Sequence, residues 1–143
     1  MSAWYCTRWG ILAVLLLVST GCGTQGNPPP KSVTAELGAE FTLSAGSAAH
    51  LDDDRLVVLL HEVSEDSRCP ADVECYWEGD ATVVATVTAA NVESHHELHS
   101  NRRFTTAVTV DGYLIELKAV HPSASTRDIP ADAYRVDLVA TRT

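Results

Sequence analysis

The feature that most constrains this chain is its period. Apolar residues recur at every second position in one short segment after another, and no stretch keeps the spacing of a long amphipathic helix. From Cys75 to Ala89 the alternation is nearly unbroken. Cys75, Trp77, Gly79, Ala81, Val83, Ala85, Val87 and Ala89 fall on one side, and Tyr76, Glu78, Asp80, Thr82, Val84, Thr86 and Thr88 on the other. This is a strand with one buried and one wet face, and it places the Trp77 indole in the core, lying across small neighbours. Phe41 and Leu43 alternate in the same way, as do Tyr134, Val136, Leu138 and Ala140. Asp111-Gly112 separates Val108-Thr109-Val110 from Tyr113-Leu114-Ile115-Glu116-Leu117, which is a hairpin signature. Beyond it Tyr113, Ile115, Leu117 and Ala119 share a face until His121-Pro122 ends the strand. RLVVLLHEV, from Arg55 to Val63, reads as a central strand buried on both faces or carrying a bulge. Ser123 to Ala133 reads as a crossover loop with a single helical turn. The expected fold is all-β: a single antiparallel β-sandwich, Ig-like or jelly-roll-like, over residues 33–143, with a barrel as the alternative topology.

The first 32 residues are of another kind. Arg8 precedes the apolar run Ile11 to Val18, and Ser19-Thr20-Gly21-Cys22 follows it. The run is far shorter than a bilayer-spanning helix. A basic start, an apolar middle and small residues at the end describe an export signal over residues 1–21. STGC is similar to the lipobox of bacterial lipoproteins, in which the cysteine receives a diacylglycerol and cleavage falls just before it. Ser19 departs from that pattern, where leucine is usual. The resemblance implies lipidation at Cys22 and a bacterial envelope location facing the periplasm or exterior, with the membrane as a partner through the lipid. Residues 22–32, GTQGNPPPKS after the cysteine, hold no material for a core and form a tether.

Charge and cysteine usage fit export. Asp and Glu number 19 against 10 Lys and Arg, and Arg8 is the one charged residue of the leader. So acidic a domain is a poor match for nucleic acid or an anionic lipid surface. Of four cysteines, Cys6 leaves with the leader and Cys22 takes the lipid. Cys69 and Cys75 remain, and an isolated pair in an exported chain reads as a disulfide. A zinc site on this pair lacks the second close pair or nearby histidine it would need.

The segment around that pair is the densest in the chain. Asp66-Ser67-Arg68-Cys69-Pro70, then Cys75, Trp77 and Gly79, resembles the D-S-R-C-P…C…W…G motif of a family of small bacterial secreted proteins and lipoproteins. The similarity reaches weakly into YLIELKAVHP and IPADAYRVDL. It implies a fold and a compartment and brings no activity with it. On the residues themselves, Asp66, Ser67 and Arg68 form a turn. Pro70 stiffens the start of the loop. Arg68 suits a carboxylate from Asp66, Glu74 or Glu78, and Gly79 leaves room for the Trp77 ring. A catalytic serine at position 67 would need an oriented base, for which His61 or His121 are the available imidazoles. No nucleophile elbow or phosphate loop accompanies it.

HHELH, from His95 to His99, is the metal-ligating feature of the sequence. On a strand His95, Glu97 and His99 project from one face, a set suited to zinc or copper. The competing reading is a polar turn or edge strand. Asp52-Asp53-Asp54 reads as a solvated turn rather than a calcium loop. Arg102-Arg103 reads as a device that keeps an edge strand from aggregating. Tyr113 and Tyr134 read as core residues. Together these features point to a lipid-anchored extracytoplasmic β-domain with a binding or envelope-support role toward an envelope protein or glycan. A metal-binding or inhibitory module is the alternative, and an enzyme comes third.

Overall fold

The computed structural model describes residues 31–143, which form two packed β-sheets. Nine strands follow one another: β1 (Lys31–Thr34), β2 (Glu40–Ser44), β3 (Ser47–Leu51), β4 (Leu56–Asp66), β5 (Ala81–Ala89), β6 (Val92–His99), β7 (Ala107–Val110), β8 (Tyr113–His121) and β9 (Arg135–Arg142). One sheet has the order β1-β3-β4-β5-β6 and the other β2-β9-β8-β7. Alternation built both. On β5, Ala81, Val83, Ala85, Val87 and Ala89 are buried; on β9, Val136, Leu138 and Ala140 are buried. Phe41, Leu43, Leu51, Leu56, Val58, Leu60, Leu98, Ile115 and Leu117 complete the core between the sheets.

The β-sandwich-like arrangement departs from an all-antiparallel one at one edge. β1 pairs with β3 in parallel. The reason is topological: β2 crosses to the opposite sheet, so the chain returns to the first sheet travelling in its original direction. All four β1 residues are exposed.

Local signals place the other elements. Asp111 and Gly112 both take positive φ, 47° and 78°, and close the β7–β8 hairpin. The three aspartates Asp52, Asp53 and Asp54 also have positive φ and form the turn into β4. β4 carries two register shifts against β5, between Leu60 and Glu62 and between Val63 and Glu65. A shift on β8 between Leu117 and Ala119 replaces Ala119 by Val120 as the buried residue. A single 3-10 turn, Ala131–Ala133, sits in the long crossover loop.

The strand expected from Cys75 begins only at Ala81. Alternation does not register the six-residue span of a disulfide, which curls Cys75 back toward Cys69. Gly79, at φ 69°, then breaks the extended path. Residues 67–80 thereby leave the sheet as a loop, and Trp77 is 53% exposed instead of lying in the core. The expected signal segment, Cys22 and most of the expected tether lie outside the described residues.

Candidate functional site at the disulfide loop

The loop between β4 and β5 is built on a narrow stem. The Ser67 amide donates to the Asp80 carbonyl at 2.7 Å and the Cys69 amide to the Glu78 carbonyl at 2.9 Å. The two limbs pass so closely at Gly79 that a Cβ there would lie 1.8 Å from the Ser67 carbonyl oxygen. Glycine is demanded by this crossing and not by the Trp77 ring. Above the stem, the Cys69–Cys75 bridge closes the tip, with Cα atoms 5.9 Å apart.

The stem is pinned on two sides. Arg68 donates to both carboxylate oxygens of Asp66, from Nε to Oδ1 at 2.8 Å and from Nη2 to Oδ2 at 2.7 Å. The same guanidinium donates to the carbonyls of Val120 and Pro122, at and just past the end of β8 in the opposite sheet. Of the three carboxylates expected as partners, Asp66 is the one it takes. The Tyr134 hydroxyl also donates to Asp66 Oδ2, at 3.1 Å. Burial pushes the Asp66 carboxyl up, but the Arg68 hydrogen bonds and charge, with the Tyr134 hydroxyl, outweigh it and hold it below its ordinary range. On the other side, Asp80 Oδ1 accepts from the Asn101 amide at 2.9 Å and Oδ2 pairs with His99 Nδ1 at 2.6 Å. Burial again raises this carboxyl, and the Asn101 amide followed by His99 and Ser100 more than reverse it. The buried Asn101 side chain donates to the Gly79 carbonyl at 2.8 Å.

Ser67 is part of the stem. Its hydroxyl donates to the Asp80 carbonyl and accepts from the Asp80 amide, both at 3.2 Å. The two imidazoles that could have served it are engaged elsewhere, His61 with Thr86 and His121 with Asp137.

On this fixed base the tip presents its side chains outward. Tyr76 is fully exposed, Trp77 half-exposed and Val73 exposed. Asp72, Glu74 and Glu78 are exposed among them. The neighbouring loop brings exposed Phe104, whose ring lies 5.2 Å from that of His99 at the base. Arg102 and Arg103 belong to that loop, beyond the end of the β6 edge strand they were expected to protect.

The expected metal set is dispersed. His95, Glu97 and His99 do share one face of β6, but His95 Nδ1 bonds Thr86 Oγ1 at 2.8 Å while His99 turns to Asp80. Among the described residues no group of three or more His, Cys, Asp or Glu side chains converges to hold a metal ion. An open cleft of about 510 Å³ at the far end is lined by Arg55, Asn91, Tyr113 and Arg142 among others, and Arg142 is already paired with Asp52.

A second clasp at that far end mirrors the Asp66 one; the sequence offered Asp66 among the partners of Arg68, but neither tyrosine contact. Asp52 accepts from the Tyr113 hydroxyl and from Arg142, whose guanidinium lies 5.1 Å from the centre of the Tyr113 ring. The Tyr113 hydrogen bond is the largest influence in holding the Asp52 carboxyl below its ordinary range. Tyr113 and Tyr134 are buried as expected, but each also spends its hydroxyl on an aspartate of the opposite sheet.

Comparison of the chain with protein-family models, with curated proteins and with solved structures found no match.

Proposed function

We propose that this chain is an exported, lipid-anchored bacterial envelope protein whose domain is a binding module, with the 69–79 loop as its recognition element. The observation that carries this reading is the outward placement of Tyr76 and Trp77 on a loop whose tip is closed by a disulfide and whose base is fixed by a bidentate ion pair and a buried asparagine. Exposed aromatics are the side chains that most often anchor an interface. Holding them on a pre-ordered loop lowers the entropy lost on association. End loops of sandwich folds, Ig-like ones included, commonly serve recognition. Three carboxylates around the aromatics favour an envelope protein or glycan that carries basic groups. The lipobox-like STGC and the tether support a position at the membrane, and the motif shared with small bacterial lipoproteins supports the compartment.

Two variants test the reading. Tyr76→Ala/Trp77→Ala in the intact lipoprotein is expected to lose the partners captured by the parent from its native envelope. Because both side chains are exposed, the folded state should lose no more than about 1 kcal/mol. Equal capture by the double variant sinks the loop as the recognition element. Cys22→Ser is expected to release the protein from membranes or leave an uncleaved precursor. Normal cleavage with retention on the membrane rules out the lipid anchor.

A further inference from the structure

We infer that the outer face of the five-stranded sheet carries a binding site for a late first-row divalent cation such as zinc, held by His61 and His95. The first register shift on β4 leaves His61 between the rungs Leu60–Ala85 and Glu62–Val84. That position brings its ring across β5 to Thr86, which pairs on its other side with His95 of β6. His61 Nε2 and His95 Nδ1 lie 2.7 and 2.8 Å from the same atom, Thr86 Oγ1. Two imidazole nitrogens from separate strands therefore converge on one point. Their ring centroids are 6.2 Å apart with the planes tilted by 45°. Zinc takes imidazole nitrogen at about 2.0–2.1 Å, which places the centroids of two ligating rings roughly 5–6 Å apart. Small side-chain rotations thus exchange the shared hydroxyl for a metal ion.

The hydroxyl has one proton to give, so at most one ring presents a lone pair to it and at least one presents an N–H. Metal binding requires each ring that presents an N–H there to move that proton to its other nitrogen. Both histidines are exposed, so water can satisfy the new tautomer. Two rungs along the sheet, Glu62 and Glu97 flank Val84 from β4 and β6, and both are exposed. Water completes the coordination, since neither carboxylate converges with the two rings. Imidazole nitrogen selects zinc or copper over the harder calcium and magnesium, which prefer oxygen ligands. The site differs from the contiguous His95–Glu97–His99 set in one decisive member: His61 replaces His99, which is committed to Asp80 at the base of the loop.

The test uses the mature chain with Cys22→Ser, so that no free thiol competes, and titrates Zn²⁺ by calorimetry. One equivalent is expected to bind. His61→Asn and His95→Asn should each weaken binding about tenfold or more, whereas His99→Asn and His96→Asn should leave it unchanged. Nitrogen chemical shifts of the imidazoles should move on zinc addition at His61 and His95 and at no other ring. Absence of a saturable one-to-one site overturns the proposal. So does a His61→Asn protein that binds zinc like the parent. Loss of binding in His99→Asn with retention in His61→Asn would instead assign the metal to the contiguous set.

Discussion

Single residues decide the shape of the loop that carries the proposed function. At Gly79 two separate demands coincide, a positive φ of 69° and a carbonyl 1.8 Å from any added Cβ. At Gly112 the φ is similar, 78°, but nothing lies within 4 Å. Gly112→Ala should therefore show only the left-handed backbone penalty, about 1 kcal/mol. Gly79→Ala should add displacement of the stem and cost at least about 2 kcal/mol more. Urea unfolding of the two variants makes the comparison, and equal losses would mean that the limbs do not cross so closely. Trp77 teaches the converse lesson. Its place in an alternating run looked like a core position, yet the disulfide turned that run into a loop and the indole outward. It is also the only tryptophan among residues 31–143, so its fluorescence reports directly on the loop tip.

At the scale of elements, the interior strands and the edges should differ in how readily they open. β4 and β5 pair along nine rungs and bury one face throughout the region they share with the core. β8 and β9 play the same part in the second sheet. β1 has four exposed residues and one neighbour. Amide hydrogen exchange should consequently be slowest in β4, β5, β8 and β9 and fastest in β1. Protection of β1 equal to that of β5 would contradict the assigned parallel edge. The disulfide loop is a smaller unit joined to this frame. Replacing Cys69 and Cys75 by serine should cost about 2 kcal/mol through the greater freedom of the unfolded chain. The stem bonds from Ser67, Arg68 and Asn101 should keep the strand pairing beneath it intact. A loss of β4–β5 protection in the double serine variant, at temperatures where it remains folded, would show that the bridge supports the sheet itself.

For the whole molecule, polar clasps at both ends of β4 tie one sheet to the other. Asp52 takes Tyr113 and Arg142; Asp66 takes Tyr134 and an arginine that also holds two carbonyls of the β8 end. Asp52, Asp66 and Asp80 all hold their protons more weakly in the folded chain than at the ordinary value of 3.8. Their contribution is complete above that value and is lost as pH falls through the lower folded values. Stability should hold near neutral pH and decline below about pH 4. Asp66→Asn should be less stable than the parent at pH 7 and show a shallower acid decline. Denaturant unfolding from pH 7 to pH 2.5 provides the measurement. An acid limb equally steep in Asp66→Asn would remove Asp66 from the account.

The sequence by itself determined the all-β class, most strand faces, the β7–β8 turn and the pairing of Cys69 with Cys75. These follow from local properties: a side-chain period of two, the φ tolerance of Asp-Gly, and the reach of two cysteines six residues apart. It also supplied every residue of the candidate loop, but with Trp77 on the wrong side of the surface. Only the tertiary structure decided the parallel edge, the choice of Asp66 by Arg68, the two tyrosine clasps and the meeting of His61 with His95. Each of these joins residues brought together by strand order and register, and a single bulge changes which side chains face one another. Such pairings depend on the free energy of the packed whole, to which no short stretch of sequence gives access.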